Sequence, residues 1–157
     1  MLTLVQSVAT VLLASLAAQD LRDRRLSNRA VLAFAALYFV AAAFARDGFA
    51  PLAGHVATGA AVLLLFGGMR HAGWIGGGDV KLAAAVFLWA GPALVFPVLT
   101  SVGAGGLLCG LALLASRPRR DAPVRALAAR GVPYGVALAL GGTLAVWASF
   151  PHTVSLT

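Results

Sequence analysis

Long uncharged runs separated by short charged clusters dominate this chain: residues 1–19, 30–45, 48–69, 82–116 and 131–157 contain no Asp, Glu, Lys or Arg. A helix rises about 1.5 Å per residue, so about 20 apolar residues cross a hydrocarbon core of about 30 Å. Most of the runs reach that length. Run 82–116 exceeds it, since one helix over all of it would be about 52 Å long. Gly91-Pro92 is the natural reversal point within it, because Pro removes a backbone donor and Gly permits the turn. The pattern therefore predicts six helices, over 2–19, 30–45, 51–69, 82–91, 93–116 and 132–150. The expected fold class is all-α, a polytopic membrane protein in which residues 1–157 form a single transmembrane domain.

Composition agrees with that class. Of 157 residues, 61% are hydrophobic and 11% charged, and none is Glu. Cys109 is the only cysteine, so the chain has neither a disulfide framework nor a Cys-x-x-Cys zinc site, and Cys109 reads as a small packing residue. Ser15-Leu16-Ala17 loosely resembles a signal-peptide cleavage site. A signal peptide, however, carries its positive residues before the apolar stretch, whereas Arg22, Arg24, Arg25 and Arg29 follow it here. Residues 2–19 are thus expected to be a retained span.

Charge then orients the spans. Of the twelve Lys and Arg residues, only Arg46 falls in an expected outer segment; the others lie at 22–29, at Arg70 and Lys81, and at Arg117, Arg119, Arg120, Arg125 and Arg130. By the positive-inside rule these clusters are expected to be cytoplasmic and both termini outside. The net charge of +7 is accounted for by this topology and by anionic lipid, so no nucleic-acid partner is expected. Residues 118–131 could hold a short surface helix from Pro123 to Arg130, or a plain loop.

Against this background Trp74-Ile75-Gly76-Gly77-Gly78-Asp79-Val80-Lys81 stands out. An Asp placed at a bilayer helix centre is disfavoured by about 2.5–3.5 kcal/mol, and by less toward the interface, so its presence calls for a reason. The three glycines allow positive φ or close approach of another chain, as a site acting on a peptide backbone needs. The 82–91 helix is short, so Asp79 and its turn should dip below the headgroups, or that helix should end early. Such backbone is tolerated only inside protein or beside a wet cavity. Asp20 ends the first expected span, Asp79 opens the fourth, and the topology brings both to one level. Two carboxylates sharing a site do not easily both ionise. One can hold a proton while the other acts as base on a water, which is aspartic-protease chemistry.

Other side chains have plainer readings. Asp23 is a solvated counter-charge, Lys81 either contacts substrate or tunes the acid pair, or else snorkels as an inner-face anchor, and His71 is an interfacial histidine without a second ligand. His55 and His152 offer no chemistry. Trp74, Trp89 and Trp147 read as interface anchors, and Gly103, Gly105, Gly106, Gly110, Gly141 and Gly142 as close-packing positions between helices.

At these residues the chain resembles the type IV prepilin peptidases, membrane aspartic proteases with a Gly-x-Gly-Asp motif. Gly76-Gly77-Gly78-Asp79-Val80-Lys81 is similar to the family's second motif. Asp20, a basic stretch and Asn28 resemble its first, although Leu26-Ser27-Asn28 stands where the family has Ile-Pro-Asn. Pro133-Tyr134-Gly135 resembles a recurrent Pro-Tyr-Gly at the last span. The resemblance implies catalytic Asp20 and Asp79, with Gly76, Gly77, Gly78 and Lys81 shaping the site or binding substrate, and no metal or cofactor. It implies a prepilin substrate: a short basic leader ending in Gly, then a hydrophobic helix, cut at the cytoplasmic face. Many members add an N-terminal extension with paired Cys-x-x-Cys motifs that accompanies methylation. This chain looks like the short protease-only form of Flp or tight-adherence pilus systems.

Two other classes compete. A small secondary transporter could use the aspartates as a proton or cation relay, though no inverted repeat is visible and the acids lie at one face. A non-catalytic pilus assembly protein is the third. The charge pattern makes a direct prediction about orientation. In a Cys109→Ala background, cysteines at positions 24, 71 and 119 should resist an impermeant maleimide in intact cells, and a cysteine at Gly48 should react. Labelling of position 71 from outside would break the inference that both acids face the cytoplasm.

Overall fold

The computed structural model describes residues 1–73, 75–115 and 134–150, all of its regular structure helical. Helix α1 runs Leu2–Asp23, α2 Asn28–Ala45, α3 Phe49–His71, α4 Gly77–Ala90, α5 Val95–Ala115 and α6 Tyr134–Ala148, with a 3-10 turn at Pro92–Leu94. Trp74, the basic cluster from Arg117 to Arg130 with its possible surface helix, Pro133, and His152 in the tail lie outside the described residues.

Local chemistry sets most of the ends. Asp20 does not terminate α1, as the charge pattern predicts; the helix runs one turn further and closes at Arg24, which is left-handed (φ 50°) with its N–H bonded to the Asp20 carbonyl. Ser27 caps α2, its side chain accepting from the Ala30 N–H, so the residue in place of the family's proline does a capping residue's work. Arg70 and His71 lie in the last turn of α3, where positive charge suits the helix dipole. Helix α4 starts earlier than the expected 82, because Gly76 serves as N-cap and Gly77, Gly78 and Asp79 form the first turn. None of those three glycines has positive φ, so that part of the expectation is corrected. The reversal at Gly91-Pro92 is found: Gly91 has φ +60° and sits against the His55 ring, where a Cβ would fall 2.4 Å from Cε1. Both constraints demand glycine there.

Four helices are long and apolar enough to cross a membrane: α1, α2, α3 and the stretch Pro92–Ala112. The other two, α4 with 14 residues and α6 with 15, are shorter, about 21 Å for α4. These short helices are the centre of the bundle. Helix α4 packs on α2, α3 and α6, and α6 packs on α1, α4 and α5. Nine of the 14 residues of α4 are buried, whereas Gly59 is the buried residue of α3. The long outer helices instead expose Leu32, Phe39, Leu64, Leu65 and Leu107, a surface suited to lipid. Small residues let the central helices approach: a Cβ on Gly142 would lie 3.0 Å from both Leu13 Cδ1 and Val86 Cγ2, and one on Gly105 3.2 Å from the Ala137 Cα. Gly103 departs from the expectation, since nothing lies within 4 Å of its Cβ position.

Trp89 is not an interface anchor. It is fully buried at the end of α4, donating its N–H to the Phe34 carbonyl at 3.0 Å and packing near the rings of Phe34 (5.7 Å), Tyr38 (5.7 Å) and Phe150 (6.0 Å). His55 joins this cluster: its ring stacks on Tyr38, and its Nδ1–H donates to the Leu88 carbonyl at 2.9 Å, tying α3 to α4. Gln6 ties α1 to α6 at the same end through its Nε2 bond to the Val146 carbonyl, 2.9 Å. Trp147 is partly exposed and donates to Thr10 Oγ1. Truncating a buried aromatic removes transfer energy and leaves a cavity. Trp89→Ala should therefore destabilise the detergent-solubilised protein by about 3–5 kcal/mol, read from its denaturation midpoint. Trp147→Ala should shift that midpoint far less.

Candidate active site

The opposite end of the bundle carries the charged chemistry. A cavity of about 340 Å³ is lined there by Asp20 in the last turn of α1, by Arg24, Arg25 and Leu26 after it, by Asn28 at the start of α2, and by Gly76, Gly77, Gly78 and Asp79 at the start of α4. The two acids singled out from the sequence thus share one cavity. Asp23, one turn beyond Asp20, is exposed and lines a different surface depression with Gln19, Arg25, Leu26 and Ser27.

Each acid is held at the beginning of a helix. Asp79 lies in the first turn of α4 and folds back over its N-cap, so that a Cβ on Gly76 would sit 2.9 Å from Asp79 Oδ2. Asp20 is buried, and its Oδ2 accepts the backbone N–H of Gly135, at the start of α6, at 2.8 Å. Helix N-termini offer unpaired N–H groups and a positive dipole end, which favours charge on Asp79 and, through Gly135, on Asp20, against the opposing C-terminal end of α1 that carries Asp20. Burial works against this for Asp79. Its carboxyl is pushed up to about 6, first by desolvation and then by the neighbouring charge of Asp20. Asp79 lies outside the four candidate spans and before the uncharged run that begins at Leu82.

The glycines permit close approach without unusual backbone. A Cβ on Gly78 would meet the Leu26 Cβ at 3.2 Å, so the loop joining α1 to α2 lies directly against α4. A Cβ on Gly77 would fall where the Arg70 guanidinium lies, 1.5 Å from Nη1. Lys81 is displaced from the acids' own cavity. Its Nζ donates to Asn28 Oδ1 at 3.0 Å, and it lines a neighbouring pocket with Arg70, Gly77 and Gly78. His71 is exposed at the end of α3.

Two relations escape a reading of the sequence: that Gly135 meets Asp20, and that Arg70 lies over Gly77. Gly135 was visible within Pro-Tyr-Gly, but nothing in its surroundings pointed to a partner 115 residues away. Arg70 reads as a topological charge until α3 is seen to bring it over Gly77.

Beside this cavity runs a groove of about 540 Å³, walled by Val31, Leu32 and Phe39 of α2 and by Val56 and Leu63 of α3, with α4 as its floor. Its polar lining residues are Asn28 and Lys81, and Asn28 also lines the acid cavity.

The chain matches the family model described as the type IV leader peptidase family over residues 7–114. No curated protein and no solved structure matches it. The match covers more than half of the chain and includes Asp20 and Asp79, so the chain belongs to the type IV leader peptidase family.

The environment of Asp79 carries a stability prediction. A carboxyl whose folded value is raised from the ordinary 3.8 to about 6 loses stability as pH rises through that window, because the unfolded chain releases its proton first. Removing the charge should relieve this loss. Asp79→Asn should raise the denaturation midpoint above pH 6 and change it little below pH 4. Equal midpoints at pH 7.5 would show that the carboxyl is not held in a disfavoured state.

Proposed function

We propose that this member of the type IV leader peptidase family is an aspartic endopeptidase that removes short basic leaders from Flp-like prepilins at the cytoplasmic face of the inner membrane. The observation that carries this reading is the sharing of one cavity by Asp20 and Asp79, with the charge of Asp20 acting on Asp79. Such a pair holds one proton between two carboxylates, the state in which one member can activate a water and the other can polarise a peptide carbonyl. In this reading the six helices cross alternately with both termini outside, and the basic segments hold the acids at the inner surface.

The groove supports a substrate with an apolar segment. Helix α3 packs chiefly on α4 rather than on its sequence neighbour α2, which leaves a groove open between α2 and α3. A hydrophobic pilin helix lying between α2 and α3 would place the bond before it at Asn28 and the acids. Gly76, Gly77 and Gly78 would let the extended peptide approach the α4 backbone, and Lys81 would act by fixing Asn28 at the groove's polar end. We take the activity to be leader cleavage without methylation of the product.

Cleavage of a co-expressed prepilin in isolated membranes, read as a shift in pilin mass, tests the proposal. Asn nearly matches Asp in size but cannot exchange the proton, so Asp20→Asn and Asp79→Asn should each abolish cleavage at near-normal accumulation. Asp23→Asn should retain most activity. Because the acids act as a unit, the double variant should be hardly worse than either single one. The wild-type rate should be bell-shaped in pH, with two apparent values belonging to the pair. If both single Asn variants still cleave, the aspartic mechanism fails.

A further inference from the structure

The two acids are not equivalent, and the difference comes from a residue outside both motifs. Helix α6 begins at Tyr134, and its second residue, Gly135, has one of the N–H groups that a helix leaves without an internal partner. That N–H donates to Asp20 Oδ2 at 2.8 Å in a buried contact between the first and last described helices. A Cβ at position 135 would lie 2.7 Å from both Asp20 Cβ and Oδ2 and 2.8 Å from Cγ. The contact therefore requires glycine, because any other residue would push the carboxylate off the helix end.

A hydrogen bond from N–H to an ionised oxygen is roughly twice as strong as one to a neutral acceptor, and the positive end of the α6 dipole adds to it. Among the described residues, the charged groups that line the cavity with Asp20 are Asp79 from α4 and Arg24 and Arg25, which follow α1, while Tyr134 of α6 is half exposed. The arginines favour charge on either acid, and Asp79 opposes it by like-charge repulsion. The Gly135 bond is what separates the two, and burial of Asp79 acts in the same direction.

We propose that Gly135 is a positioning residue whose backbone N–H keeps Asp20 as the charged member of the pair, so that Asp20 is the base and Asp79 the acid. This rests on the aspartic-peptidase reading. Asp20 takes a proton from the attacking water as its oxygen bonds to the peptide carbon, and Asp79 gives its proton to the carbonyl oxygen. The resulting diol collapses with cleavage of the C–N bond. Asp20 then passes its proton to the leaving nitrogen, one diol hydroxyl returns a proton to Asp79, and the starting state is restored.

Two measurements test this. The chain has five acidic side chains, all Asp, so ¹³C-labelled aspartate gives few carboxyl signals, each assignable with an Asp→Asn variant. On acidifying wild-type protein in detergent, Asp79 should take up its proton before Asp20; the reverse order overturns the proposal, whatever the cleavage results. Gly135→Ala should lower kcat for a leader-bearing prepilin about tenfold with KM nearly unchanged, and move the acidic limb of the pH profile up by about one unit. Gly141→Ala gives the comparison: position 141 is on the same helix as Gly135 but away from the acids, and its Cβ would meet Val102 Cγ2 of α5 at 2.5 Å. It should reduce stability without moving either limb. A Gly135→Ala profile lowered uniformly at all pH values, like that of a packing variant, would overturn the positioning role while leaving the peptidase reading intact. If Gly135→Ala fails to accumulate, the wild-type titration order decides. Cleavage by both Asp20→Asn and Asp79→Asn would instead remove the peptidase reading itself.

Discussion

Two carboxylates in a largely apolar chain must be brought together without leaving either unsupported, and the arrangement of the helices follows from that constraint. Each acid sits at the N-terminus of a helix, Asp79 on its own helix α4 and Asp20 against the first turn of α6. Those helices are the shortest of the six described and the most central, so their ends meet inside the bundle instead of at its rim. Unpaired N–H groups that water would otherwise solvate are used to hold charge. The long helices α1, α2, α3 and α5 shield that core and present leucine and phenylalanine outward.

Such a site opposes stability. Burying Asp79 beside Asp20 keeps a carboxyl near pH 6 that would ionise freely in water. The opposite end of the bundle supplies the rigidity that holds it there. Trp89, Phe34, Tyr38, His55 and Phe150 form an aromatic cluster at the far end of α4, and Gln6 links the start of α1 to the end of α6. Fixing α4 and α6 at that end fixes where their first turns meet at the other. The packing glycines act on the same relation by setting how closely the helices approach.

The division between the acid cavity and the adjoining groove bears on the chemistry. The cavity is charged, while the groove is apolar until it reaches Asn28 and Lys81. The substrate proposed above, a polar cleavage region followed by an apolar helix, is matched to that division. Ser27 keeps the approach to Asn28 in order by capping α2.

Much of this was legible in the chain alone. Uncharged runs must become helices where water is excluded, because only internal hydrogen bonding satisfies the backbone there, and the helix positions follow from that. The cost of placing an Asp beside apolar runs marked Asp20 and Asp79, and the Gly91-Pro92 reversal followed from backbone chemistry. Helix ends were less accessible, since capping by Gly76 and Ser27 moves them by several residues without changing the hydrophobic pattern. The burial of Trp89 was hidden too: hydropathy does not separate a residue that faces lipid from one that faces other helices. Nor could the sequence reveal that Gly135 meets Asp20, or that Arg70 fills the space over Gly77. Those contacts depend on how α6 packs beside α1 and α3 beside α4, and helix packing in an apolar medium is decided by shape between distant residues, which no local pattern records.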